Sequence, residues 1–241
     1  MKEFYITLPS WKSKYIFPIN NPGDFYVKLP KQVNVHGDWK VGMTNTYIPR
    51  NWYNVNSGDN NIFIKSYETG EDINVDILPG YYSSIDILIS EINRYISEYK
   101  ASLAFDSMKN KIFVTMNDPK IEIWFSSGIC EILGIDDFRV ITRSRYGDHP
   151  INLQGKFEYI TVNCDIVEDQ IMGDLKVPMI GYFSTKDTSY GDSLYSNVET
   201  QYITLKNKKF EVIHVWMCDT RGERIPFLQG KTIIQLHFIR K

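Results

Sequence analysis

Cysteine is scarce in this 241-residue sequence, and its three copies, Cys130, Cys164 and Cys218, stand far apart. An odd count without a CxxC pair argues against a disulfide framework. They read as buried free thiols of a reducing compartment. Histidine is scarce too. His36, His149, His214 and His237 form no HxH or HExxH pair, so no local metal motif exists. No apolar run reaches the ~18 residues of a membrane-spanning helix. The N-terminus, MKEFYITLPSW, lacks a signal-peptide core, and there is no Asn-x-Ser/Thr sequon. Neither sign of charge dominates: 27 Lys and Arg face 29 Asp and Glu, a net charge of −2. That balance leaves no basic footprint for direct nucleic-acid binding and no polybasic membrane patch. A nucleophile elbow and a glycine-rich phosphate loop are also absent, so no catalytic, cofactor or metal site is expected.

Aromatic residues are what the sequence has in quantity. Thirteen Phe, sixteen Tyr and five Trp make 14% of the chain within a 43% apolar composition. This is enough to build a core, and it favours sheets, on whose pleated surfaces flat rings pack well. The stretch His36–Asn54 (HGDWKVGMTNTYIPRNWYN) sets the pattern. Trp39, Val41, Met43, Asn45 and Tyr47 recur every second residue, which predicts a long central strand of a β-sandwich. Trp39, Val41, Met43 and Tyr47 should face the core, with Lys40, Gly42 and Thr44 facing away.

Similar alternation predicts strands at Glu3–Leu8, Phe25–Leu29, Asn61–Tyr67, Ile73–Leu78, Lys111–Met116, Ile121–Phe125, Phe157–Cys164, Leu175–Phe183, Glu199–Leu205, Phe210–Cys218 and Lys231–Ile239. The period changes after Pro79-Gly80. Ile85, Leu88, Ile89, Ile92, Tyr95, Ile96 and Tyr99 share one helical face, predicting a helix over 83–99 started by Ser83 or Ser84. A second, short helix is expected over 126–133, capped by Ser126 or Ser127 and closed by Gly134. The fold class is therefore mainly β: one antiparallel sandwich or jelly roll over 1–241, with 79–135 as an α/β insertion or small lobe.

Few residues invite chemistry. The acidic run Asp165–Asp169 with Asp174 reads as a solvated loop between two strands rather than a calcium site, and Asp219–Glu223 reads as the turn of a hairpin. Residues 136–155 and 184–197 are the long polar loops, candidates for contacts with partners. Trp52, Tyr53, Tyr81 and Tyr82 lie outside the strand patterns. They either pin loops to the sheets or form a partner-facing aromatic surface.

The pieces FYITLPS, GDWKVGM with YIPRNWYNV, PGYYSSIDILISEIN, FSSGICEILGI, YITVNCDIVEDQIMGDLKVPMI and GERIPFLQGKTIIQLHFIRK occur in an order that resembles a family. It is the penton, or minor capsid, protein of Polinton/Maverick elements and adintoviruses. The resemblance runs from about residue 4 to the C-terminus. It implies a single jelly roll without enzymatic activity, five copies of which form a homopentamer at each icosahedral vertex beside a double-jelly-roll major capsid protein. Such a protein is made in the host cytosol, assembled there or in the nucleus, and resides in the virion. Larger relatives in adenoviruses add an N-terminal arm and a receptor-binding insertion. The first strand expected here begins almost at Met1, and the helical patch does not read as a receptor loop. A carbohydrate- or receptor-binding sandwich using Trp52, Tyr53, Tyr81 and Tyr82 is the alternative. An enzyme would need His149, His214 or His237 to meet carboxylates in one pocket.

Overall fold

Alternating segments of the sequence become strands, and the segment with helical spacing becomes a helix. The computed structural model describes residues 2–186, 188–195 and 200–240. It opens with β1 (Glu3–Pro9), β2 (Asp24–Asn34), β3 (Trp39–Pro49), β4 (Asn61–Ser66) and β5 (Asp72–Asp76). Helix α1 (Ile85–Ile96) precedes β6 (Ala101–Asp106), β7 (Lys111–Met116) and β8 (Ile121–Phe125), and α2 (Ser127–Leu133) precedes β9 (Arg145–Tyr146). Next come β10 (Tyr159–Cys164), β11 (Gln170–Met172), β12 (Leu175–Val177), β13 (Met179–Ser184) and β14 (Ser193–Tyr195). The series ends with β15 (Ile203–Thr204), β16 (Lys209–Cys218) and β17 (Ile233–Arg240). Two compact units result: the chain up to Trp52 together with the chain from Phe157 onward, and Tyr53–Lys156. The α/β pattern expected over 79–135 sits inside the second unit, which begins and ends further out.

The first unit is an antiparallel jelly roll. One sheet has the order β1-β17-β3-β14, with β15 also on β3; the other has the order β13-β10-β16-β2. Leaving aside the β11-β12 ribbon, successive strands of this unit alternate between the sheets except at β10 and β13, which are neighbours, and at β14 and β15, which both pair with β3. That alternation is the double Greek key of the jelly roll. Inward residues from both sheets make one core, with Leu8, Phe25, Val41, Val162, Ile213, Leu236 and Phe238 among its members. Each fully buried side chain of this size contributes roughly 1.5–3 kcal/mol of transfer free energy.

The strand β3 departs from strict alternation in one place. Met43 pairs with Leu236 and Thr46 with Ile234, so Thr44 and Asn45 together oppose Gln235. This is a β-bulge, and one extra residue reverses every later side chain. Trp39, Val41 and Met43 face inward as expected, but beyond the bulge Thr46 and Ile48 are buried while Asn45 and Tyr47 are exposed. Gln235 anchors the bulge: its side-chain oxygen accepts from Asn45 Nδ2 at 2.7 Å, and its backbone carbonyl accepts from Thr44 Oγ1 at 3.2 Å.

Other differences have similarly local causes. Pro30 does not end β2, which continues to Asn34, because β2 is an edge strand and can tolerate a missing amide donor. Leu175–Phe183 is not one strand. It breaks at Pro178 into β12, which among the described residues pairs with β11 alone, and β13, which pairs with β10. The loop expected at 184–197 contains β14, paired with the end of β3; Asp187, Ser196 and Asn197 lie outside the described residues. Of the strand expected at Glu199–Leu205 only β15 forms, and Glu199 is likewise outside the described residues. Strand β6 had no clear sequence signal. The Asp219 turn is real, with Asp219 Oδ1 accepting from the amides of Arg221 and Glu223. It folds Arg224 back onto Cys218 in an antiparallel bridge, but the expected pairing of 210–218 with the following strand does not form, because β16 and β17 belong to different sheets.

In the second unit, β5-β4-β8 and β6-β7-β9 form two small sheets. They share a core with Leu88, Ile89, Ile92 and Ile96 of α1 and Ile129, Cys130, Ile132 and Leu133 of α2. Ser84 caps α1, its hydroxyl accepting from Ile87 N at 3.4 Å. Ser126 stands at the N-cap position of α2, yet its hydroxyl accepts from Asn61 N and the capping carboxylate comes from Asp59, bound to Gly128 N at 2.8 Å. Asn54 fastens three parts of the unit, donating to Tyr82 O and Leu153 O and accepting from Tyr82 N. Gly134 closes α2 in the left-handed region at φ 68°, where an added Cβ would lie 2.3 Å from the carbonyl of His149. Gly134→Ala should therefore destabilise the protein by about 2 kcal/mol or more, the left-handed cost of a Cβ plus a backbone displacement. Urea titration measures this, and a loss below ~0.5 kcal/mol contradicts the assigned geometry.

Candidate functional site

The titratable groups do not converge. His149 Nε2 lies 2.9 Å from Asp136, His214 Nε2 2.7 Å from Asp24, and His237 Nε2 3.3 Å from Glu3. The first pair belongs to the second unit, and the other two lie on the outer faces of opposite sheets of the jelly roll. Among the described residues there is no group of three or more His, Cys, Asp or Glu placed to hold a metal ion. All three cysteines are buried, and burial pushes the Cys164 thiol up to about 12. The acidic run at Asp165 has a local role: Asp165 Oδ1 accepts from His214 N at 3.0 Å. Burial raises the Asp165 carboxyl above its ordinary range, against the lowering effect of that backbone donor.

The loop aromatics separate into core and surface. Trp52 has no exposed surface. Its ring packs edge-on to Phe227 at 5.2 Å and against Phe157 at 6.1 Å, and the Arg50 guanidinium lies 4.8 Å from its centre. Tyr82 is buried as well and donates its hydroxyl to Leu78 O at 2.8 Å. A partner-facing role for Trp52 and Tyr82 is therefore corrected: apolar burial outweighs their position outside the strands. Tyr53 and Tyr81 are half-buried.

The outer faces of the jelly roll carry the surface chemistry. On one sheet Tyr26 stacks on His214 at 3.8 Å, and Arg224 links Asp24 at 2.9 Å to the face of Trp216 at 4.9 Å. On the other, Tyr5 stacks on His237 at 4.2 Å, and His237 Nδ1 is 2.8 Å from the Tyr202 hydroxyl. These arrays cover the sheets with mutually satisfied groups. Towards the β13/β14 side the aromatics stand free of such cover, with Tyr159 at 45%, Tyr182 at 56% and Tyr195 at 65% exposure. Sequence reasoning missed these three. Their signal was a large ring in the outward phase of alternation, legible only once the strand phases are known.

The loop at 136–155 is more ordered than its composition suggests. Asp136 binds Arg139 at 2.6 Å, Asp148 bridges Arg139 and Arg145, and Ile141 bridges to Ile123 of β8. The Arg139 and His149 side chains beside it hold the Asp136 carboxyl below the usual range. This network presents Phe138 almost fully exposed, at φ 58°.

Taken together, the strand orders define a single jelly roll of the kind found in viral capsid proteins, carrying an α/β insertion between its third and fourth strands. The structure resembles the mavirus penton protein, with a TM-score of 0.53 at 10% identity over 98% of this chain and 99% of that one. It also resembles a chain in the cryo-EM structure of the Sputnik virophage, with a TM-score of 0.50 at 10% identity over 100% of this chain and 98% of that one. At this identity the likeness is one of fold, and it is the fold that the penton-like motifs imply. No protein-family model matches the sequence, and no curated protein matches it.

Two outcomes are expected. Trp52→Ala should cost about 3–5 kcal/mol of stability, measured by denaturant titration; a folded variant of wild-type stability would return Trp52 to the surface. Asp165→Asn keeps the acceptor for His214 N and removes a charge that burial disfavours. A carboxyl with a raised folded pKa destabilises the fold above that pKa and ceases to do so below its unfolded value. The variant should therefore melt above wild type at pH 7, with the gain shrinking as the pH falls towards 4. A lower melting temperature at both pH values contradicts the reading.

Proposed function

We propose that the chain is a structural virion protein of the penton type. Five copies would form a ring at an icosahedral fivefold vertex and contact a double-jelly-roll major capsid protein around it. The observation that carries this reading is the reciprocal, nearly complete overlap with the mavirus penton protein. It takes in the insertion as well as the jelly roll, and a generic sandwich likeness would not. The dispersed histidines fit a protein that works by surface complementarity. Tyr53–Lys156 is an insertion domain in this reading, and its ion-paired loop with Phe138 is the part offered to a neighbouring capsid protein.

The carbohydrate-binding alternative loses ground because Trp52 and Tyr82, half of its aromatic surface, are core residues. A ring of identical subunits uses two different surfaces on each copy and closes when the rotation between neighbours fits. Each contact must bury on the order of 1,000 Å² to be specific. Sedimentation velocity over a concentration series should show a species of five chains in equilibrium with monomer. A protein that stays monomeric at high concentration and is absent from assembled particles would overturn the reading.

A further inference from the structure

The two sides of the jelly roll differ in shape and charge. On one side the edge strands are β1 and β2, and two clefts open along the seam between them. A cleft of about 650 Å³ is lined by Thr7 and Pro9 of β1, Tyr15 of the following loop, and Val27 and Lys28 of β2. Another of about 570 Å³ lies between Phe4 of β1 and Lys31, Val33 and Val35, with Trp39 and Arg240 at its end. Lys12, Lys28, Lys31, Lys209 and Arg240 border this side, against Glu3 and Glu211. The opposite side ends in β13 and β14. It carries the exposed rings of Tyr159 and Tyr182 on one outer face and Tyr195 on the other. Glu168, which bonds to β15 on this side, and Asp192, which precedes β14, are exposed here, as are Lys186 and Lys206. Asp169, Asp174 and Lys176 are exposed in and beside the β11-β12 ribbon between β10 and β13.

We propose that these two sides are the halves of one contact between copies of this chain, the β13/β14 edge of one protomer seating against the β1/β2 seam of the next. The inference rests on the ring reading only for the number of copies. Tyrosine suits such a contact because its ring packs against the apolar walls, such as Phe4, Val33 and Trp39, while its hydroxyl reaches the polar groups that also line the clefts. The excess of positive charge along the seam disfavours seam-to-seam contact, where like charges meet, and favours a partner surface that carries carboxylates, as the opposite side does. Edge strands also offer unpaired backbone groups to a neighbour. Because the two halves differ, the contact propagates head to tail and ends when the ring closes.

A cross-linking experiment tests it. The three native cysteines are buried, so a chain carrying Lys28→Cys and Tyr182→Cys reacts with a short bis-maleimide at the engineered pair. Denaturing electrophoresis should show a ladder rising one chain at a time. A control chain pairing Lys28→Cys with Met108→Cys, in the exposed β6–β7 turn, should show little beyond monomer. No ladder above the control overturns the contact. A ladder stopping at five supports both the contact and the ring, whereas one that stops elsewhere supports the contact and overturns five copies. Tyr182→Ala with Tyr195→Ala should raise the concentration needed for half-assembly ~10-fold or more without lowering the melting temperature. Assembly at wild-type concentrations by that variant would also overturn the proposal.

Discussion

β17 enters its sheet between β1 and β3, so the C-terminal strand supplies the inner hydrogen-bonding partner of the N-terminal one. Glu3 pairs with Ile239 and Pro9 with Ile233, across nearly the whole sequence. Without β17, β1 has no neighbour in the sheet and the inward residues Leu236 and Phe238 are missing from the core. The Phe4 ring, stacked on Phe238 at 4.5 Å, loses its partner as well. Such pairing costs loop-closure entropy before it returns any contact energy, which places the jelly roll among slowly folding, high-contact-order topologies. The same constraint explains how the insertion is tolerated. Trp52 and Phe157, where the chain leaves and re-enters the first unit, have their rings packed together, so the jelly roll closes locally across the intervening segment.

The bulge opposite Gln235 links this pairing to the surface. It turns Tyr47 outward, where its ring meets Tyr195 edge-on at 5.7 Å. One extra residue in β3 thus moves an aromatic from the expected core face to the side on which the other exposed tyrosines stand. The outer faces elsewhere are covered by stacked Tyr–His pairs and short ion pairs, whose groups already satisfy one another. The lateral edges differ, with two clefts and an excess of basic groups along the β1/β2 side and the exposed Tyr159, Tyr182 and Tyr195 towards the β13/β14 side. The edge strands also supply core residues, Leu8, Phe25, Phe183 and Leu194 among them, so only their outward side chains, such as Tyr182 and Tyr195, stand apart from the core.

Much of the secondary structure was legible because its signals are local. Ser84 and the Ile85–Ile96 stripe specified α1, Gly134 closed α2, and strict alternation located β1, β7, β8, β16 and most of β3. Signals failed where a distant partner decided the outcome. Pro30 breaks a central strand but not an edge strand, and nothing near Pro30 says which β2 is. Pro178 divides a continuous apolar run because β12 and β13 answer to different neighbours. The polar segment before Tyr195 becomes β14 because the end of β3 offers it an open edge.

The candidate surface shows the same division. The sequence by itself determined that the chain is mainly β, that it lacks any motif for catalysis or metal binding, and that its ordered motifs are penton-like. These properties depend on residue type and on spacing within one element. Only the tertiary structure decided that Trp52 and Tyr82 are core residues while Tyr159, Tyr182 and Tyr195 are not. The physical reason is that burial is a property of packing between strands far apart in sequence, and a single bulge reverses which face a residue presents.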